Sequence, residues 1–224
     1  MKAVEITYRY ETLEEASRER PADADAARRR LDEGSRAFAS LLSGLASRRG
    51  TARRVIHVDA QELGLADGVA GAPAQRPFAA VLGCSDARVP VELIFNEGPN
   101  DLFVVRVAGN VAGAEETASL EFGTIVLGAK LLMVLGHSNC GAVKAALEGT
   151  EVPGQISTLY RLITPGIDRQ NKNVDAAVAA NVRAQVKVLR DGSTVISGLI
   201  RDGKLKLVGG MYDLNSGKVT VIEG

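Results

Sequence analysis

The sequence carries no net charge: 27 Lys and Arg residues balance 27 Asp and Glu residues. No uniform field therefore draws the chain to nucleic acid or to anionic lipid. It has no apolar run approaching the roughly 18 residues that a membrane span needs. Its start, Met1-Lys2-Ala3-Val4-Glu5-Ile6-Thr7, lacks the basic segment and apolar core of a secretory signal. Cysteine is scarce, with two among 224 residues, and so is histidine, also two. Neither a signal nor a small stapled scaffold supports a lone disulfide. Thiols held as metal ligands in a reducing cytoplasm fit better. The expectation is a cytoplasmic protein with no nucleic-acid and no membrane partner, long enough for one large α/β domain.

The scarce residues are concentrated. Both cysteines and one histidine fall in two short motifs, Cys84-Ser85-Asp86-Ala87-Arg88 and His137-Ser138-Asn139-Cys140. Two thiolates and an imidazole, with a carboxylate two residues from the first thiolate, make a tetrahedral zinc set. Three protein ligands and a variable fourth place describe catalytic zinc better than structural zinc. Such an ion lowers the pKa of its water enough to supply hydroxide near neutral pH. Asp86 is placed to accept a hydrogen bond from that water, or to swing in as the fourth ligand of a closed state. Arg88 can hold the carboxylate in a bidentate pair and keep it off the metal. The competing readings are a closed structural zinc site with Asp86 as permanent ligand, and no metal at all.

The pattern of the chain predicts an α/β fold: a mainly parallel β-sheet flanked by helices, antiparallel additions near the C-terminus, and an N-terminal helical arm. We read residues 1–54 as that arm and 55–224 as the catalytic domain. Residues 11–50 read as helix broken at Arg20-Pro21-Ala22-Asp23, because Pro disfavours helix at the residue before it. Leu31, Phe38, Leu41, Leu42 and Leu45 recur at helical spacing. Arg28-Arg29-Arg30 and Arg48, Arg49, Arg53 and Arg54 read as a solvated helix face or a subunit contact, and His57 as an ordinary residue. Strands are expected at 78–83, 102–107, 131–135, 194–199, 205–212 and 218–222. Helices are expected from Pro90 to about Asn96, over 115–127, over 141–147 with Asn139 as N-cap, and over 175–190. Both ligand motifs begin where an expected strand ends, and sites in such sheets form outside those ends.

At these residues the chain resembles the β-class carbonic anhydrase family, over roughly residues 31–222. The resemblance is carried by Cys84-Ser85-Asp86-Ala87-Arg88-Val89-Pro90, Asp101-Leu102-Phe103-Val104-Val105-Arg106, Ala108-Gly109-Asn110, Ser119-Leu120-Glu121 and Gly136 to Ala142. Asn181-Val182 with Gln185, and Gly210-Met211-Tyr212-Asp213, extend it. It implies zinc held by Cys84, His137 and Cys140, reversible hydration of carbon dioxide to bicarbonate and a proton, and a homodimer or higher homo-oligomer with its cleft at the dimer interface. It further implies that Gln75 hydrogen-bonds substrate, and that Phe103 and Phe122 line the cleft, although plain core is an equal reading of both rings. Some relatives hydrolyse carbon disulfide or carbonyl sulfide at the same metal site, and a zinc-holding regulatory protein without turnover is a further alternative. Three departures stand out. Val107 replaces the usual Asn, Asn100 stands where Gly is frequent, and the chain has no Trp, which argues against the bicarbonate pocket used for inhibition in one branch.

Overall fold

The computed structural model describes residues 2–12, 19–43, 45, 50–65 and 71–222. The first sixty residues form strand β1 (Lys2–Glu11), helix α1 (Ala24–Ser43) and strand β2 (Gly50–Asp59). β1 and β2 pair in parallel along their whole length, from Lys2 opposite Gly50 to Glu11 opposite Asp59. The all-helical reading of residues 1–54 is thus corrected. Val4, Ile6 and Tyr8 are part-buried while Glu5, Thr7 and Arg9 are exposed, a period of two that belongs to a half-buried strand. The expected boundary at residues 54 and 55 falls inside β2. His57 pairs with Glu11 at 3.1 Å on the open side of this small sheet, in keeping with an ordinary histidine. Residues 13–18, part of the expected first helical segment, and Arg48 and Arg49 lie outside the described residues.

The remainder alternates. Strand β3 (Ala79–Gly83) leads to helix α2 (Val91–Ile94), strand β4 (Leu102–Arg106) and helix α3 (Ala114–Glu121). A π-helical turn, Phe122–Val126, extends α3 and precedes strand β5 (Leu131–His137). Helices α4 (Gly141–Glu148), α5 (Ile156–Ile163), α6 (Val174–Gly192) and α7 (Thr194–Arg201) follow, then strands β6 (Lys206–Tyr212) and β7 (Val219–Ile222). The main sheet has the order β4-β3-β5-β6-β7, parallel except for β7.

Every residue of β3 and β5 is buried, because helices cover both faces of the parallel sheet. Val81, Leu131, Met133 and Leu135 face α1 and α2, whereas Leu82, Leu132 and Val134 face α6 and α7. On the first side, Arg30 of α1 spans to Glu97 at 2.6 Å and Asp101 at 3.0 Å, and its guanidinium lies over the Phe78 ring. That arginine is therefore neither solvated nor free for an oligomer contact, unlike the exposed face expected of the Arg28–Arg30 run.

The expected strand at 194–199 is helix α7. Its β-branched residues suggested a strand, but Ser193 accepts a hydrogen bond from Ile196 N–H at 3.0 Å and caps a helix. Ile196, Leu199 and Ile200 then share one face against the second core. Cys140, not Asn139, is the N-cap of α4. Asn139 is left-handed, at φ 53°, and its N–H donates to Asp175 at 2.9 Å. Asn100 also takes a left-handed turn, at φ 68°, a conformation that Asn tolerates in place of Gly.

Candidate metal centre

The strand order places the site. From β3 the chain goes first to β4 on one side and then to β5 on the other, so the order reverses between β3 and β5. Crevices outside the carboxyl ends of strands at such a reversal are where open α/β sheets build sites. Cys84 follows β3 directly, His137 is the last residue of β5, and Cys140 caps the helix that follows. Gly136 lets this happen closely: a Cβ there would sit 2.6 Å from a methyl of Val182, so α6 packs hard on β5 beside the histidine.

One donor atom from each of Cys84, His137 and Cys140 lies within 4.8 Å of the other two, and all three residues are buried. The two sulfurs are 3.9 Å apart and both thiols are free. His137 Nδ1 lies 3.0 Å from the Ser138 carbonyl oxygen, which accepts its hydrogen. The other nitrogen, Nε2, is buried without a hydrogen-bond partner. An unpaired buried acceptor facing two buried thiols is costly in a bare protein, and it is what a thiophilic, nitrogen-accepting cation satisfies. The donor set fits zinc.

The electrostatics agree. The Cys84 thiol is pushed down chiefly by its hydrogen bond with Cys140. Burial opposes this, and His137 and the N–H groups of Gly109 and Asp86 add to it. Cys140 is pushed up, by Cys84 first and by burial second, against the amides of Val143 and Ala142. At His137 burial pulls downward, but the Cys84 sulfur more than offsets it and the net direction is up.

Asp86 lies at the rim of the triad, its Oδ2 3.8 Å from His137 Nε2. Arg88 grips both carboxylate oxygens, with Nε to Oδ1 at 2.9 Å and Nη2 to Oδ2 at 2.7 Å, and its own N–H donates to Oδ1. The guanidinium is the first cause holding the Asp86 carboxyl well below the usual range, ahead of the opposing effect of burial. Arg106 staples the same loop from β4, donating to the carbonyls of Cys84 at 3.1 Å and Asp86 at 2.7 Å.

Residues 79–219 match the family described as carbonic anhydrase. The chain belongs to the β-carbonic anhydrase family. Carbonic anhydrase 2 of Mycobacterium tuberculosis is 36% identical over 158 residues, which cover 67% of this chain and 76% of that protein. The carbonic anhydrase of Mycolicibacterium smegmatis is 41% identical over 154 residues, 65% of this chain and 75% of the relative. Among solved structures, a tetrameric β-carbonic anhydrase from Sordaria macrospora matches with a TM-score of 0.61 at 26% identity, over 66% of this chain and 82% of that one. The β-carbonic anhydrase of Aspergillus fumigatus called CafA gives 0.60 at 27%, over 66% and 76%.

The other expected site residues are not gathered at the triad. Gln75 is exposed and lines a cavity with Pro77, Asn100 and Leu102, at the start of β3 and β4 rather than at their ends. Phe103 stands opposite Ala80 near the start of β4, and its ring lies 6.4 Å from that of Phe122 on the π-helical turn. Phe103 packs on the second core, whereas Phe122 is 46% exposed. Val107 exchanges main-chain hydrogen bonds with Gly83 and Ser85, and its side chain packs between two apolar clusters. Arg106 ends the run Asp101 to Arg106 with no role assigned to it from sequence. Its signal was available in retrospect: a charged residue ending an apolar strand at the same sheet edge as Cys84.

Proposed function

We propose that this protein catalyses the reversible hydration of carbon dioxide to bicarbonate and a proton, using zinc held by Cys84, His137 and Cys140. The observation that carries the reading is the buried triad with its unpaired His137 Nε2. Zinc bound there would supply Lewis acidity that brings the ionisation of water near neutral pH. The chain's own residues do the rest. Two thiolates neutralise the formal charge of the ion, so an acceptor at the rim is needed to favour ionisation, and Asp86 Oδ2 fills that place. Arg88 orients the carboxylate and keeps it out of the donor set. Release of that grip lets Asp86 move to the ion and close the site, so the pair works as a gate.

Gln75, Phe103 and Phe122 act as substrate-binding residues in this reading. Gln75 lies at the wrong end of β3 to reach the triad of its own chain, so it serves the site of a second copy, and the protein works as a homo-oligomer. The tetrameric fungal relative supports that assembly. The gathered thiols fit a reducing cytoplasm, and among the described residues no helix is long and apolar enough to cross a membrane. Stopped-flow hydration of carbon dioxide by zinc-loaded protein tests the activity. The expected result is a rate far above buffer that disappears in Cys84→Ser together with the bound zinc. A rate no better than buffer for fully loaded protein overturns the reading.

A further inference from the structure

Two amide side chains on α6 are fully buried and take no part in the mechanism above. Asn181 is 0% exposed and Gln185 1%. They sit on a helix whose other inward residues, Val178, Val182, Val186 and Leu189, are apolar. Buried amides are costly unless each polar atom is paired, and here each is. Asn181 Nδ2 donates to the Gly109 carbonyl at 2.9 Å, and Gln185 Nε2 donates to Asn181 Oδ1 at 3.0 Å. Gln185 Nε2 also reaches the Leu162 carbonyl at 3.1 Å, while its Oε1 accepts from Ala112 N–H at 2.9 Å. The pair therefore clamps the segment from Gly109 to Ala112.

Gly109 is where the clamp meets the site. Its N–H donates to Cys84 Sγ at 3.4 Å, the same distance as the N–H of Asp86. It is left-handed, at φ 76°, and a Cβ on it would lie 2.8 Å from Ile163 Cδ1. A non-glycine residue would be strained there and would push this N–H off the sulfur. Gly109 thus has its N–H on Cys84 and its carbonyl on Asn181, so the peptide groups on both sides of its Cα are tied down.

We propose that Asn181, held by Gln185, is a positioning residue for the metal centre: it aims the Gly109 N–H at the Cys84 sulfur and so sets the charge and placement of that ligand. The inference rests on the zinc reading above and extends it to residues outside the donor set. Partners of this kind, which touch the ligand's support rather than the ion, typically govern metal affinity by about ten- to a hundred-fold. A hydrogen bond into a thiolate also withdraws charge from sulfur, which an optical probe detects independently of turnover.

The test compares wild type, Asn181→Ala and Thr124→Ala. Thr124 is a buried hydroxyl that donates to the Leu120 carbonyl at 2.8 Å, and its loss reports general loosening. Zinc affinity is read by competition with a chromogenic chelator, and sulfur charge by the thiolate-to-metal charge-transfer band of cobalt-substituted protein. The expected result for Asn181→Ala is about a ten-fold weaker zinc affinity and a cobalt band moved to lower energy, with Thr124→Ala at wild-type values in both. Folded Asn181→Ala with wild-type affinity and band overturns the inference, and so does an equal change in Thr124→Ala. Should Asn181→Ala fail to fold, Gln185→Met, which keeps the side-chain volume, is expected to change both readouts in the same direction but less; no change there also overturns it. Wild type that binds neither zinc nor cobalt removes the functional reading and this inference together, whereas metal-binding wild type with an unaltered variant removes only the inference.

Discussion

Asp86 stands at the rim of the triad, and Arg88 is its main support. In Arg88→Ala the carboxylate loses two charge-assisted hydrogen bonds, keeps only the N–H at position 88, and is free to turn toward the metal. Zinc content should stay at one per chain while the hydration rate falls by about ten-fold or more, the range for residues that orient a metal's surroundings. Unaltered turnover would sink the gate. Asp213 offers a separate measure at the turn before β7. It accepts from Ser216 Oγ at 2.6 Å, Ser216 N–H at 3.2 Å and Asn215 N–H at 3.1 Å, and it touches Ser138 Oγ at 3.4 Å. The Ser216 hydroxyl is the first cause of its lowered pKa. A carboxyl whose folded pKa is depressed adds stability above its unfolded pKa, near 3.9, and loses it as pH falls through the folded value. Asp213→Asn should therefore be less stable than wild type by about 1 kcal/mol at neutral pH, with the gap closing below about pH 4. Denaturant titrations at two pH values check this; a gap that widens in acid would contradict it.

Among the elements, those that build the site were the most legible in sequence. Strands β3, β4 and β5 are short apolar runs bounded by Gly, Asp and Lys, and the ligand motifs start at their ends, so strand and motif reinforced each other. Helix α7 is not legible from composition because Thr194-Val195-Ile196 resembles a strand, and the Ser193 cap decides for helix. β1 does carry a local mark, the alternation of Val4, Ile6 and Tyr8 with Glu5, Thr7 and Arg9. Residues 12–49 separate it from β2, its only partner among the described residues, so the pairing itself leaves none. The tie of Asn181 and Gln185 to Gly109 was invisible for the same reason, since a main-chain acceptor has no signature in sequence. Ser193 gives the test at this scale. Its hydroxyl accepts from Ile196 N–H and donates to Glu121 Oε1 at 2.6 Å, so it joins α7 to the end of α3. Ser193→Ala should lower stability by about 1 to 2 kcal/mol and leave zinc affinity unchanged. A thermal melt at the wild-type midpoint would mean that the α7 cap carries no weight.

For the molecule as a whole, the question is how many chains make one site. β3 has five residues, which at the usual rise span about 16 Å. Cys84 leaves its carboxyl end, and Gln75 lies before its start. A glutamine side chain cannot cover that span, so in the proposed assembly a substrate held at the triad of one chain meets the Gln75 of another. This predicts complementation. Gln75→Ala retains the metal ligands but lacks the contact, and Cys84→Ser retains Gln75 but lacks a ligand. Each alone should be nearly inactive. Co-expressed with different tags and purified through both, they form mixed pairs in which the intact triad of one chain faces the intact Gln75 of the other. Such a pair has one working site of two, so its rate should approach about half that of wild type under the symmetry of a closed dimer. If Gln75 instead reached its own chain's metal, every site in the mixed pair would be defective and no activity would return.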